Sequence, residues 1–161
     1  MSKQFKIKNY TSSVSVSKSI SEIEELLSQA GADMIVKQYG DDGQGNRFVM
    51  GFTFTIKDGE LHQMFRLPAN TREFAASLLA EKKRPRKSTA AKVNEQAERT
   101  AWKVLKEWVQ IQLTLIRVHQ VHPFQVFMGY LYDPKTKNTL FDIAQRDGGF
   151  QKLLSAGKSD T

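Results

Sequence analysis

The hydrophobic positions change period part-way along the chain. Before residue 81, two-residue alternations interleave with short helical stripes; beyond it the helical period runs almost unbroken. In YTSSVSV (10–16), Tyr10, Val14 and Val16 oppose Thr11, Ser13 and Ser15, which predicts a half-buried strand. Ser19 and Glu22 then stand at capping-box spacing. Ile20, Ile23, Leu26, Leu27 and Ala30 form an apolar stripe that Gly31 closes, predicting a helix. DMIVKQY (33–39) reads as a second strand and GDDGQGN as the turn after it. RFVMGFTFTI (47–56) is the clearest strand, with Phe48, Met50, Phe52, Phe54 and Ile56 opposite Val49, Gly51, Thr53 and Thr55. Asp58-Gly59 marks a hairpin into ELHQMFRL, which Pro68 stops. Asn70 and Glu73 repeat the capping spacing and open a helix through Phe74, Leu78 and Leu79. The first half is thus expected to be β-α-β-β-β-α, built on an antiparallel four-stranded sheet.

From about Thr89 to His119 the pattern predicts one long helix with two apolar stripes side by side. Ala97, Ala101, Val104, Trp108, Ile111 and Leu115 mark the first, and Trp102, Leu105, Val109, Leu113 and Ile116 the second. His122-Pro123 starts a short helix whose inner face is Phe124, Phe127, Met128 and Leu131. DPKTKN is a turn, TLFDIAQRD a last helix, and Gly148-Gly149 its stop. The fold class expected is therefore α+β: the sheet half (10–81), a basic joint (82–88) and a helical half (89–154) in a single domain, 1–154. A disordered tail, 155–161, follows.

Composition supports a globular domain of 161 residues, with 40% hydrophobic and 25% charged positions. The absence of cysteine removes disulfides, thiolate nucleophiles and zinc-thiolate sites, and suggests an intracellular protein. No signal peptide is visible, and the apolar stretch at 101–118 is interrupted by Lys103, Lys106, Glu107 and Arg117, so no membrane span is expected. Charge changes the picture most. The net charge is +7, yet residues 1–81 are close to neutral, and the whole excess lies from Lys82 onward. It begins with Lys82-Lys83-Arg84-Pro85-Arg86-Lys87, and no carboxylate intervenes before Glu95. A one-sided basic surface attracts polyanions, nucleic acid first among them. A soluble charged linker between helices accounts for the same run.

Other chemistry is sparse. His119-x-x-His122 has metal-like spacing without further ligands nearby, and His62 lacks a recognisable partner. Asp41 to Asn46 lacks the carboxylate pattern and closing Glu of a calcium loop and fits a hairpin turn. No cofactor, metal or catalytic residue is assigned, although carboxylates brought together by folding would suit a metal-dependent nuclease. GFTF (51–54) partly matches the RNA-recognition signature in which two strand aromatics stack bases. Met50 replaces the basic residue before Gly51, and the continuing alternation places Phe52 and Phe54 in the core.

Residues 19–83, read α-β-β-β-α, resemble the double-stranded-RNA-binding domain in order of elements. The family's lysine cluster at the start of its last helix is missing, since NTREFAASLL offers only Arg72. YTSSVSVSKSISEIEELLSQAGA, EQAERTAWKVLKEWVQIQLTLI and FMGYLYDPKTKNTLFD are similar to uncharacterised small proteins of bacteriophages and mobile elements. That resemblance implies a setting in replication, recombination or packaging, in the host cytoplasm, and transfers no site residues.

The expectation is a non-enzymatic nucleic-acid-binding protein that favours single-stranded DNA over duplex DNA or RNA. Lys82, Lys83, Arg84, Arg86 and Lys87 are the candidate phosphate contacts, extended by Lys92, Arg99, Lys103 and Lys106 on the long helix. Arg66 and Lys37 are secondary, and Tyr39, Tyr10 and Trp102 are the candidate stacking surfaces. The alternative is an interaction module in which the long helix forms a homodimer through its second apolar stripe.

Overall fold

The computed structural model describes residues 12–81, 87–146 and 148–156. The first element is helix α1 (Val16–Gln29), and three strands follow, β1 (Ala32–Asp41), β2 (Arg47–Asp58) and β3 (Leu61–Pro68). Helices α2 (Thr71–Glu81), α3 (Lys87–Arg117) and α4 (Pro123–Phe127) come next. A 3-10 turn, Met128–Tyr130, leads into a hairpin of β4 (Tyr132–Asp133) and β5 (Asn138–Thr139), then α5 (Leu140–Gln145) and α6 (Gly149–Ser155).

The α+β class is as expected, but the sheet has three strands in the order β1-β2-β3, and β4-β5 form a separate pair. The strand expected over 10–16 is not formed by its described residues. Val16 and Ile20 also sit at helical spacing with Ile23 and Leu27, and that period prevails because Ser15 caps the helix. Its side chain accepts from the Lys18 amide at 3.2 Å while its own backbone is extended. Ser19, expected as the cap, lies inside α1 and is fully buried. Ser12 is held elsewhere: its carbonyl accepts from Gln96 Nε2 of α3 at 2.9 Å. Ser13 and Ser15 therefore do not join the outer face of the sheet.

Both hairpins of the sheet are antiparallel, with Ile35, Phe54 and Phe65 opposite one another on the inner face. Glycines close the turns, Gly43 and Gly45 between β1 and β2 and Gly59 between β2 and β3, all with positive φ. Phe52, Phe54, Phe65 and Leu67 face α1, α3 and α4, and their core is closed by Ile23, Leu27, Trp102, Val109, Leu113 and Phe127. Phe54 stacks on Phe65 at 5.6 Å, and Trp102 meets Phe52 edge to face at 6.1 Å. The second apolar stripe of α3 is thus core. Leu131 makes a single antiparallel bridge to Phe65, which brings the β4-β5 hairpin against the β3 edge of the sheet. At the end of the chain, Gly148 adopts φ 69° and, instead of ending the last helix, serves as the N-cap of α6.

Candidate nucleic-acid interface

The candidate cations meet three different fates. Lys82, Lys83, Arg84 and Arg86 lie outside the described residues, as does Tyr10. Lys87 is the first residue of α3, so the basic run leads directly into the longest helix of the protein.

On α3, helical geometry sorts the remaining charges. At 100° per residue, Lys92, Arg99, Lys103, Lys106 and Arg117 fall within an arc of about 60°, and they span about 37 Å of axis. This is a single stripe along one face. Arg99 pairs with Glu95 one turn before it, and Lys106 reaches Glu22 of α1 at 3.4 Å. Lys92 and Lys103 have no carboxylate partner among the described residues, and Lys92 is exposed. Arg117, which the sequence shows only as an interruption of the apolar stretch, closes the stripe; its signal is the repeat of 7, 11, 14 and 25 residues counted from Lys92.

Lys37 and Arg66, both proposed from sequence as phosphate contacts, are already engaged. Lys37 projects from β1 toward α1 and pairs with Glu24 at 3.1 Å. The hydrogen bond to Glu24, followed by its charge, raises the Lys37 pKa. Arg66 leaves the outer face of β3 and lies over the Tyr132 ring at 4.1 Å. With the Gln38 carboxamide turned so that its oxygen faces the guanidinium, it accepts from Arg66 Nε at 2.6 Å, Arg66 Nη2 at 2.8 Å and Thr53 Oγ1 at 2.9 Å. Arg66 thereby ties three strands together, and Thr53 beneath it is buried.

The aromatic candidates divide as sharply. Trp102 is 1% exposed and has no face to offer a base. Tyr39 is 49% exposed, with the Arg47 guanidinium 4.8 Å from its ring centroid. Phe52 and Phe54 are fully buried, as the alternation indicated.

Compared with protein-family models, curated proteins and solved structures, the chain matches none. What the interface does must therefore be read from its own residues.

The remaining polar clusters bond within the chain. His62 does have a partner, Asp33 Oδ2 at 3.4 Å, and Thr55 donates to the same carboxylate at 2.7 Å. His122 caps α4: its Nδ1 accepts from the Phe124 amide at 3.2 Å, and its Nε2 stands 3.0 Å from Asp58 of the β2-β3 hairpin. His119 sits beyond the end of α3 with φ 57°, so the two rings do not share a helix. Among the described residues, no group of three or more His, Cys, Asp or Glu is placed to hold a metal ion. Nor is any described helix long and apolar enough to cross a membrane.

One large groove, of about 920 Å³, lies between α3, the start of α2 and α5. Ala101, Val104, Leu105 and Trp108 form its α3 wall, with Phe74 and Phe141 opposite. It lies on a different face of α3 from the cationic stripe.

Proposed function

We propose that the chain is a non-enzymatic, phage-type nucleic-acid-binding protein that holds single-stranded DNA by its phosphates with little sequence preference. The observation that carries this reading is the continuity of charge. The run from Lys82 to Lys87 passes into a helix whose cations, from Lys92 to Arg117, keep to one face. A rigid helix bearing such a stripe follows a polyanion along its length, whereas a mere linker needs no continuation of the charge. Lys92 and Lys103, which have no carboxylate partner among the described residues, supply charge beyond the run. Tyr39, half exposed on β1, is the stacking surface that supports the choice of a single strand.

The test is a titration of labelled single-stranded DNA, duplex DNA and RNA of equal length at two salt concentrations. It compares the wild type with a protein in which the basic residues of 82–87 are changed to Gln. The wild type is expected to bind single-stranded DNA most tightly and to weaken steeply with salt; the variant is expected to lose most of that affinity. Absence of binding at low salt refutes the function. Equal binding by the variant refutes the site alone.

A further inference from the structure

The first apolar stripe of α3 is a heptad seam longer than the helix that covers it. Ala97, Ala101, Val104, Trp108, Ile111, Leu115 and Val118 follow one another at alternating steps of four and three residues. That is the a/d spacing by which one helix packs on another. Val118 lies just past the end of α3, with its amide still bonded to the Thr114 carbonyl at 3.1 Å. Within the chain, α2 packs against α3, and five residues, 82–86, separate the two helices, so they run antiparallel. Ala97 and Ala101 are accordingly 1% and 4% exposed. Past Trp108 the seam opens: Ile111 is 53% and Val118 54% exposed. Trp108 itself is anchored by Phe127 at 6.0 Å and Tyr130 at 5.9 Å, so this end of the seam is held in place.

We propose that the open end pairs with the same segment of a second copy, antiparallel, about a two-fold axis at the level of residue 113. In that register Trp108 meets the second copy's Val118, and Ile111 meets the second copy's Leu115, each pair occurring twice. Three features select this occupant. The spacing demands a helix with a matching seam, which a second α3 supplies. The second α3 would also run in the direction of α2 and continue its line along the seam. Charge permits it as well: a chain of net charge +7 should repel its like, yet the residues flanking the open seam are Glu107, Gln112, Thr114 and His119, with no Lys or Arg among them. The cationic stripe lies about 120° away around the helix. Both stripes would remain on the outside of the pair.

Four apolar side chains per copy make an interface below standard size, so the dimer is expected to be weak. Sedimentation equilibrium of the full chain, without nucleic acid, from low micromolar to submillimolar concentration reads it directly. A monomer–dimer equilibrium is expected. Ile111→Glu and Val118→Glu should each weaken it at least about tenfold, because each buries a carboxylate at an a/d position. Both sites are half exposed in the monomer, so its helical circular dichroism should be unchanged. Val36→Glu, on the outer sheet face, should leave association as it was. A monomer throughout the range, or a dimer that either seam substitution leaves intact, overturns the proposal without touching the nucleic-acid reading.

Discussion

Replacing Lys92 and Lys103 together by Gln distinguishes the charges that are free from those that only look available in the sequence. Each phosphate neutralised on a single strand contributes about −0.7 to the slope of log Kobs against log salt. Lys92 and Lys103 have no carboxylate partner among the described residues, so the double variant should flatten the slope by about 1.4. Lys37→Gln should leave it nearly unchanged, because Glu24 at 3.1 Å already neutralises that ammonium. The assay is fluorescence anisotropy with labelled single-stranded DNA over a series of salt concentrations, with the slope rather than a single affinity as readout. If Lys37→Gln flattens the slope as much as the double variant does, pairing in the fold does not govern which cations reach phosphate, and the stripe is wrongly assigned.

Further expectations concern the scaffold that presents the stripe. Trp102→Ala removes a side chain that is 1% exposed and packed edge-on to Phe52, and should cost about 3–5 kcal/mol in urea unfolding. Trp102→Phe should keep wild-type DNA affinity, since the indole touches no solvent. Gly51→Ala should destabilise the sheet by at least about 1–3 kcal/mol, because its Cβ would collide with the Leu67 carbonyl on the adjacent strand. Asp142 accepts from the Thr139 amide at 2.7 Å and the Thr139 hydroxyl at 2.8 Å, and these bonds hold its carboxyl below the usual range. A carboxylate lowered in the folded state stabilises above its unfolded pKa and loses that contribution as pH falls through the folded value. Thermal midpoints measured from pH 6 downward should therefore drop less for Asp142→Asn than for wild type below about pH 4.

Local pattern foretold those elements whose period outlasts chance. The 31 residues of α3 carry stripes too long to be anything but helix, and β2 with its alternating phenylalanines was equally plain. The start of α1 was misjudged because VSVSKSI satisfies both periods until Ser15 is given a role. What holds the preceding segment off the sheet is a bond between Ser12 and Gln96, 84 positions apart. Strands β4 and β5 have two residues each, too few to show any period. Of the candidate site, the sequence carried the charges but not their partners. Glu24 stands 13 residues from Lys37, and Glu22 meets Lys106 only because α1 packs on α3.

That sorting of partners bears on what the charge is for. Between α1 and the basic run, Lys37 is paired with Glu24, while Arg47, Arg66 and Arg72 lie over Tyr39, Tyr132 and Phe48. In the sheet half, then, one of these cations is neutralised by a carboxylate and three are held against aromatic rings. On α3, Arg99 and Lys106 are paired, while Lys92 and Lys103 have no carboxylate partner among the described residues. Lys92 and Lys103 stand on the stripe next to the basic run, where the proposed backbone-binding track would lie. The open heptad seam, about 120° around the same helix, would let two such tracks work as a pair.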